Sequence, residues 1–325
     1  MSTRESTEDR ARRLKRLAGE SPGAAGIKEI TLALGLKNNH VVAAAAGVAG
    51  AWAEASCVEA LVAAFDRFMT EPVKRDPGCV AKVAIVQALH ELECSEFELF
   101  LRAARHVQHE PVFGGREDTG APLRVAGVSA LTELRYPDTD FILADLMSDP
   151  EPSAREGAVH ILGKMGGRTA QLLLRTRARM PDADPSIVGM CHEGLMKIDG
   201  PGSMEFVADF LQSDRPAVIE QAALAIGEAR LPESFARLRE TWDGYIQDRN
   251  RELLLLGIAL TRTQESVAFL LDLVRDGQTG MAVAAIEALA FYRDDSAKAE
   301  AVVDAAGSRS ESEVKRAINV RFDSD

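Results

Sequence analysis

Aromatic residues are scarce in this sequence of 325 residues: they make up 5%, and Trp52 and Trp242 are its two tryptophans. Sheet proteins lean on aromatic and β-branched cross-strand pairs, so the shortage argues against a β-sandwich. Hydrophobic content is nevertheless 46%, much of it alanine, which suits helices packed closely on helices. Cysteines are few, and Cys57, Cys79, Cys94 and Cys191 contain no CxxC pair. Each sits in an apolar context and reads as a buried free thiol in a reducing compartment. No apolar run approaches the ~20 residues of a membrane helix. The charged stretch from Met1 to Gly19 lacks a signal-peptide core. The expectation is a cytoplasmic protein with no membrane contact. Basic residues are the minority, 38 against 50 acidic, for a net charge of −12. That balance opposes general affinity for nucleic acid.

Signatures of catalysis are missing as well. Gly114-Gly115 and Gly200-Pro201-Gly202 lack the Lys-Ser/Thr ending and the preceding strand of a phosphate-binding loop. No Ser-His-Asp or Cys-His arrangement has a local signature. No cofactor is therefore expected.

What the sequence has is repetition. One unit runs from Ser148-Asp149-Pro150 through Ala158 to Leu162-Gly163, and a second from Ser213-Asp214-Arg215-Pro216 through Ala222 to Ile226-Gly227. Asp can accept the free amides at a helix start, and Pro is tolerated in the first turn. Ala158, Ile161, Leu162 and Met165 then recur at helical spacing and form one buried stripe. Weaker copies place Leu89, Leu131, Leu162, Leu195, Ile226, Leu260 and Leu289 in matching positions, mostly about 30 residues apart, the period of a helix-pair solenoid. Second helices lie between them, with stripes at Phe206, Val207, Phe210 and Leu211, at Phe235, Leu238 and Trp242, and at Val267, Leu270, Leu271 and Val274. The turns carry Gly166-Gly167, Gly200-Pro201-Gly202 and Leu231-Pro232.

These residues resemble HEAT repeats, and in particular the short bacterial type named after phycobilisome lyases. The resemblance covers residues 38 to 292 and is sharpest from Asp149 to Gly227. It implies an all-α solenoid, or superhelix, of about eight helix-turn-helix repeats. Residues 1–26 read as a basic cap ending in a linker at Ser21 to Gly26, residues 27–307 as the array, and residues 308–325 as a polar cap with one helix around Val314 to Val320. An insert at 111–120, Pro111 to Gly120, lengthens one repeat and reads as a surface loop suited to contacting a ligand.

The family includes scaffolds, assembly factors, chromophore lyases, a metal-dependent hydroxylase and DNA glycosylases, and fold alone does not choose among them. The hydroxylases hold two irons with His-Glu pairs in one matching register. Here His90-Glu91, His109-Glu110 and His192-Glu193 fall in different registers and point in different directions, so no metal site is expected. His106 and His109 sit one helical turn apart beside the insert, without further ligands. Arg102 and Arg105, then Arg168, Arg175, Arg177 and Arg179, then Arg237 and Arg239 mark three second helices, which in HEAT arrays usually line the concave face. A glycosylase-like groove would use such cations, but Asp140, Asp145, Glu205 and Asp209 lie among them and would repel phosphate. Binding to nucleic acid is thus not expected. The leading expectation is a non-catalytic scaffold that binds a protein partner through Arg102, Arg105, His106, His109, Phe113, Arg116, Arg175 and Arg179. A lyase-like or glycosylase-like enzyme is the alternative.

Overall fold

The structure, a computed structural model, describes residues 6–322 except Pro181, Ala183 and Ile246. The first five and last three residues of the expected caps lie outside the described residues. Among the described residues the chain is an all-α solenoid interrupted by a single two-stranded hairpin. It divides into two compact units between Ile161 and Leu162.

The first unit contains α1 (Thr7–Leu17), α2 (Ala24–Leu34), α3 (Asn39–Ala51), α4 (Val58–Met69), a single turn α5 (Pro72–Arg75), α6 (Val80–Glu91) and α7 (Phe97–Ala104). The hairpin follows, β1 (His109–Val112) and β2 (Gly115–Asp118), then α8 (Ala121–Glu133) and α9 (Thr139–Leu146). Helix α10 (Pro152–Met165) spans the division. First helices stack in series, α1 on α3, α3 on α6 and α6 on α8. Each second helix leans on the first helix of the next pair: α2 on α3, α4 on α6, α7 on α8.

The second unit contains α11 (Gly167–Arg179), α12 (Pro185–Ala208), α13 (Pro216–Ala229), α14 (Ser234–Gly244), α15 (Asp248–Glu252), α16 (Leu255–Leu260), α17 (Gln264–Asp276), α18 (Thr279–Leu289), α19 (Ser296–Ala306) and α20 (Ser312–Arg321). Here the series runs α12, α13, α16, α18, α20.

Local chemistry sets the ends. Asn38 accepts from the Val41 amide at 3.0 Å and starts α3. Asp184 does the same for Ser186 at 2.9 Å and starts α12, each satisfying an amide without an intrahelical partner. Pro occupies the first turn of α8, α12 and α13. At the close of five first helices one residue turns left-handed: Ala53, Glu93, Arg135, Arg230 and Arg262, with φ between 49 and 58. That residue redirects the chain into the second helix. The repeat-register residues Leu89, Leu131, Leu162, Leu195, Ile226, Leu260 and Leu289 are all buried, as the spacing predicts.

The structure differs from expectation at three places. Helix α1 stacks on α3 as the first helix of a pair, and α2 begins at Ala24, inside the stretch expected as a linker. The Trp52 indole fixes this turn by donating to the carbonyls of Leu17 at 3.1 Å and Glu20 at 2.9 Å. The turn expected at Gly200-Pro201-Gly202 shrinks to a kink at Asp199, whose carboxylate accepts from the Gly202 amide at 3.1 Å and caps the helix beyond it. Helix α7 stops at Ala104, so His109-Glu110 does not end a helix, and the expected loop is a hairpin.

Candidate functional site

The hairpin is the one pair of strands among the described residues, and its geometry follows from what lies at its foot. Val112 pairs with Gly115, leaving Phe113-Gly114 as a two-residue turn in which Gly114 takes φ 91, a conformation open to glycine. The strands are otherwise poor in apolar residues and exposed on most sides. An isolated two-stranded hairpin is marginal in water, so its order must come from tertiary partners.

Those partners are buried and polar. Asp118 Oδ1 accepts from the amides of Gln108 and Gly120, both at 2.8 Å, and closes the foot. Arg124, buried on α8, donates to Asp118 Oδ2 at 2.7 Å and to the His106 carbonyl at 2.8 Å. The same guanidinium forks onto Asp149 at 2.7 and 2.8 Å, the planar match that arginine makes with carboxylate. On the other side Lys82, fully buried on α6, donates to Gln108 Oε1 at 2.6 Å, with Asp76 Oδ2 3.7 Å away. Gln108 returns its amide hydrogens to the Asp76 carbonyl at 2.9 Å and Glu110 Oε1 at 2.6 Å. Glu110 also accepts from the Gly78 amide and the Thr119 hydroxyl, both at 2.7 Å.

Charge states follow. Burial opposes ionisation of Asp118, but the bonds from Gln108, Gly120 and Arg124 outweigh it and hold its pKa below the usual range. For Glu110 burial is likewise outweighed, by Thr119, Gln108, Gly78 and Lys82. Burial lowers the pKa of His106, partly offset by its contact with Gln108. Burial pushes the Cys79 thiol up to about 11. The bonds that hold Asp118 and Glu110 ionised are the same ones that tie the hairpin's foot to α6 and α8.

At the tip, Phe113 is 108% exposed, with Val112 exposed beside it. The other expected contact residues fall in several places. His109 lies exposed on β1 opposite Asp118, and Arg116 lies exposed on β2 opposite Pro111. Arg105 is exposed just past α7, while His106 turns inward with Nε2 3.1 Å from Gln108 Oε1. The two histidines therefore do not share a helical face, and the structure does not assemble the pair inferred from their spacing. Arg102 bonds to Asp66 at 2.7 Å and lies over the Phe65 ring, tying α7 to α4.

In the second unit Arg175 donates to the Gly202 carbonyl at 2.8 Å and lies over Phe206. Arg179 lies over Phe206 and Phe210 and pairs with Asp209 at 3.3 Å. Arg237 reaches Glu205 at 2.6 Å, and Arg239 lies between Trp242 and Phe269. Arg175, Arg179, Arg237 and Arg239 thus clamp neighbouring helices of this unit, matched by an acid, a carbonyl or a ring.

The His-Glu pairs take unrelated roles. His90 Nε2 contacts Glu133 at 3.1 Å, His109 stands on the hairpin, and His192 is fully buried against the Phe210 ring. Among the described residues no group of three or more His, Cys, Asp or Glu is placed to hold a metal ion. Asp76 was legible as the start of a repeat helix, where it accepts from the Ala81 and Lys82 amides. Lys82, Gln108, Asp118 and Arg124 were not singled out, although Lys82 and Arg124 stand within largely apolar stretches of their helices.

No family model matches this sequence, and no curated protein matches it. Among solved structures, an engineered protein is similar at 15% identity and a TM-score of 0.37, covering 99% of this chain and 95% of the other. The complex of CpcE and CpcF of phycocyanin lyase from Nostoc sp. PCC7120 is similar at 16% identity and a TM-score of 0.35, covering 73% and 91%. Human deoxyhypusine hydroxylase in complex with glycerol is similar at 16% identity and a TM-score of 0.31, covering 79% and 91%. Likenesses this distant carry no argument about activity; the helical repeat architecture rests on the stacked helix pairs of this chain.

Proposed function

We propose that this chain is a protein-binding scaffold, a HEAT-like array of the short bacterial kind, whose hairpin is the anchor for a protein partner. One observation carries the reading: a fully exposed aromatic side chain, Phe113, stands on a hairpin locked from below by Asp118, Arg124, Lys82 and Gln108. An aromatic held in advance of binding loses little conformational freedom when a partner closes over it. Such residues dominate interface energetics. Burying a phenylalanine side chain is worth about 1.5–3 kcal/mol. Arg116 and His109, exposed on the same strands, suit the polar rim of such a contact. Three buried thiols, Cys57, Cys79 and Cys191, serve as packing groups and favour a reducing, cytoplasmic setting.

The test is affinity capture from native lysate with wild type and Phe113→Ala, matched for thermal stability. A partner held by wild type should be retained roughly tenfold or more weakly by the variant, as loss of a buried aromatic requires. Indistinguishable partner sets would remove the hairpin from the interface.

A further inference from the structure

A second surface of the first unit has the form of a binding site, and first helices line it. A groove of about 760 Å³ lies between α1, α3, α6 and the start of α8. The expectation from HEAT arrays put the concave surface on second helices; the hollow in this unit is on the opposite side. The floor is small and aliphatic, with Ala43, Val83 and Ala84 half-buried rather than covered. Val83, Gln87 and Pro122 also line a second hollow of about 470 Å³, which continues past Val125 and Ala126 to Ser153 at the start of α10. The two hollows are one trough along five first helices, α1, α3, α6, α8 and α10. At about 10 Å per helix spacing it runs roughly 40 Å, the reach of about twelve extended residues.

The charge at its wall is not that of the molecule. The chain carries a net −12, yet among the described residues that line the groove Arg12, Lys15 and His40 stand against one acid, Glu8, while Asp9 beside them lies 3.6 Å from Arg12. A hydrophobic floor excludes a purely polar occupant, and the cationic edge selects against a basic one.

We propose that this trough binds an acidic peptide segment of a partner protein, its apolar side chains on the alanine-valine floor and its carboxylates against Arg12 and Lys15. This rests on the protein-binding reading but uses a surface other than the Phe113 tip. The experiment is selection of peptides of about 16 residues, longer than the trough, from a random display library on the full chain. The selected peptides are then titrated by fluorescence anisotropy against wild type, Arg12→Glu/Lys15→Glu, Ala84→Trp and Phe113→Ala. The expected result is enrichment of Asp and Glu among apolar residues, with affinity falling at least about tenfold in the charge-reversal variant and weakening as salt rises. Ala84→Trp should block the floor. Arg12 and Lys15 are exposed, so the charge-reversal variant keeps the test decisive even if Ala84→Trp unfolds. No selected peptide, no acidic bias, or binding indifferent to the charge reversal would overturn the proposal. So would a dimer of this chain that the groove variants dissociate, since the occupant would then be a second copy. Sensitivity to Phe113→Ala alone would leave the hairpin reading standing and remove this one.

Discussion

Lys82 illustrates how single residues are fixed here. A buried ammonium is costly unless hydrogen-bonded and paired, and Lys82 reaches Gln108 and Asp76 for that reason. Removing it leaves Asp76, itself fully buried, without its cation. Lys82→Ala should lower stability by about 3 kcal/mol, read from urea unfolding, and should speed amide exchange in β1 and β2. Unchanged stability with a still-protected hairpin would refute the role given to Lys82. His192 is the opposite case. Both ring nitrogens are buried without partners, and burial pushes its pKa down to about 4. Its folded pKa lies below the unfolded value near 6.5, so the unfolded state binds more protons between those limits. Stability from this group is intact above pH 6.5 and is lost as pH falls towards 4, by about 3 kcal/mol in all. His192→Leu should flatten that limb of the stability curve and cost little at pH 7, where no hydrogen bond is broken. A limb unaltered by the substitution would assign the acid sensitivity elsewhere.

Among elements, helix contacts and the hairpin differ in how far sequence reveals them. Helices α13 and α16 cross where Gly227 and Gly257 meet, and a methyl group at either would run into the backbone of the other helix. Gly227→Ala should therefore cost roughly 1–3 kcal/mol, measured by denaturant titration, although alanine favours helices elsewhere. The periodicity around Gly227 is local: Asp, Pro, alanine and the Leu/Ile-Gly pair lie within one helix, so helix and register are legible there. The hairpin is not. Its strands lack alternating apolar residues, and its order depends on Lys82, Arg124 and Asp149, distant in sequence. No glycine or proline marks the stop of α7 after Ala104, so the sequence pattern alone runs the helix on to His109. Phe113 was legible as a contact candidate because it stands in the insert; its mounting was not. Asp118→Ala should detach the foot, raising exchange of the Gln108 and Gly120 amides, and cost about 1–3 kcal/mol by leaving those buried amides without their acceptor while Arg124 keeps Asp149. Protection of those amides in the variant would show that the hairpin needs no such tether.

For the molecule as a whole, repeat stability is set chiefly between neighbours, so each of these substitutions should act first on the helices it touches. Arg175, Arg237 and Arg239 bind second helices to one another. The two surfaces proposed for recognition, the hairpin tip and the first-helix trough, both lie in the unit that ends at Ile161. Binding that occupies this unit should raise its stability by mass action. The most direct measurement replaces Phe113 with a photoreactive phenylalanine analogue in the native cell and identifies what it captures on illumination. A specific protein adduct, absent when the same group is placed at exposed Val320, is the predicted result; no adduct at position 113, or the same adducts at both positions, would contradict the account.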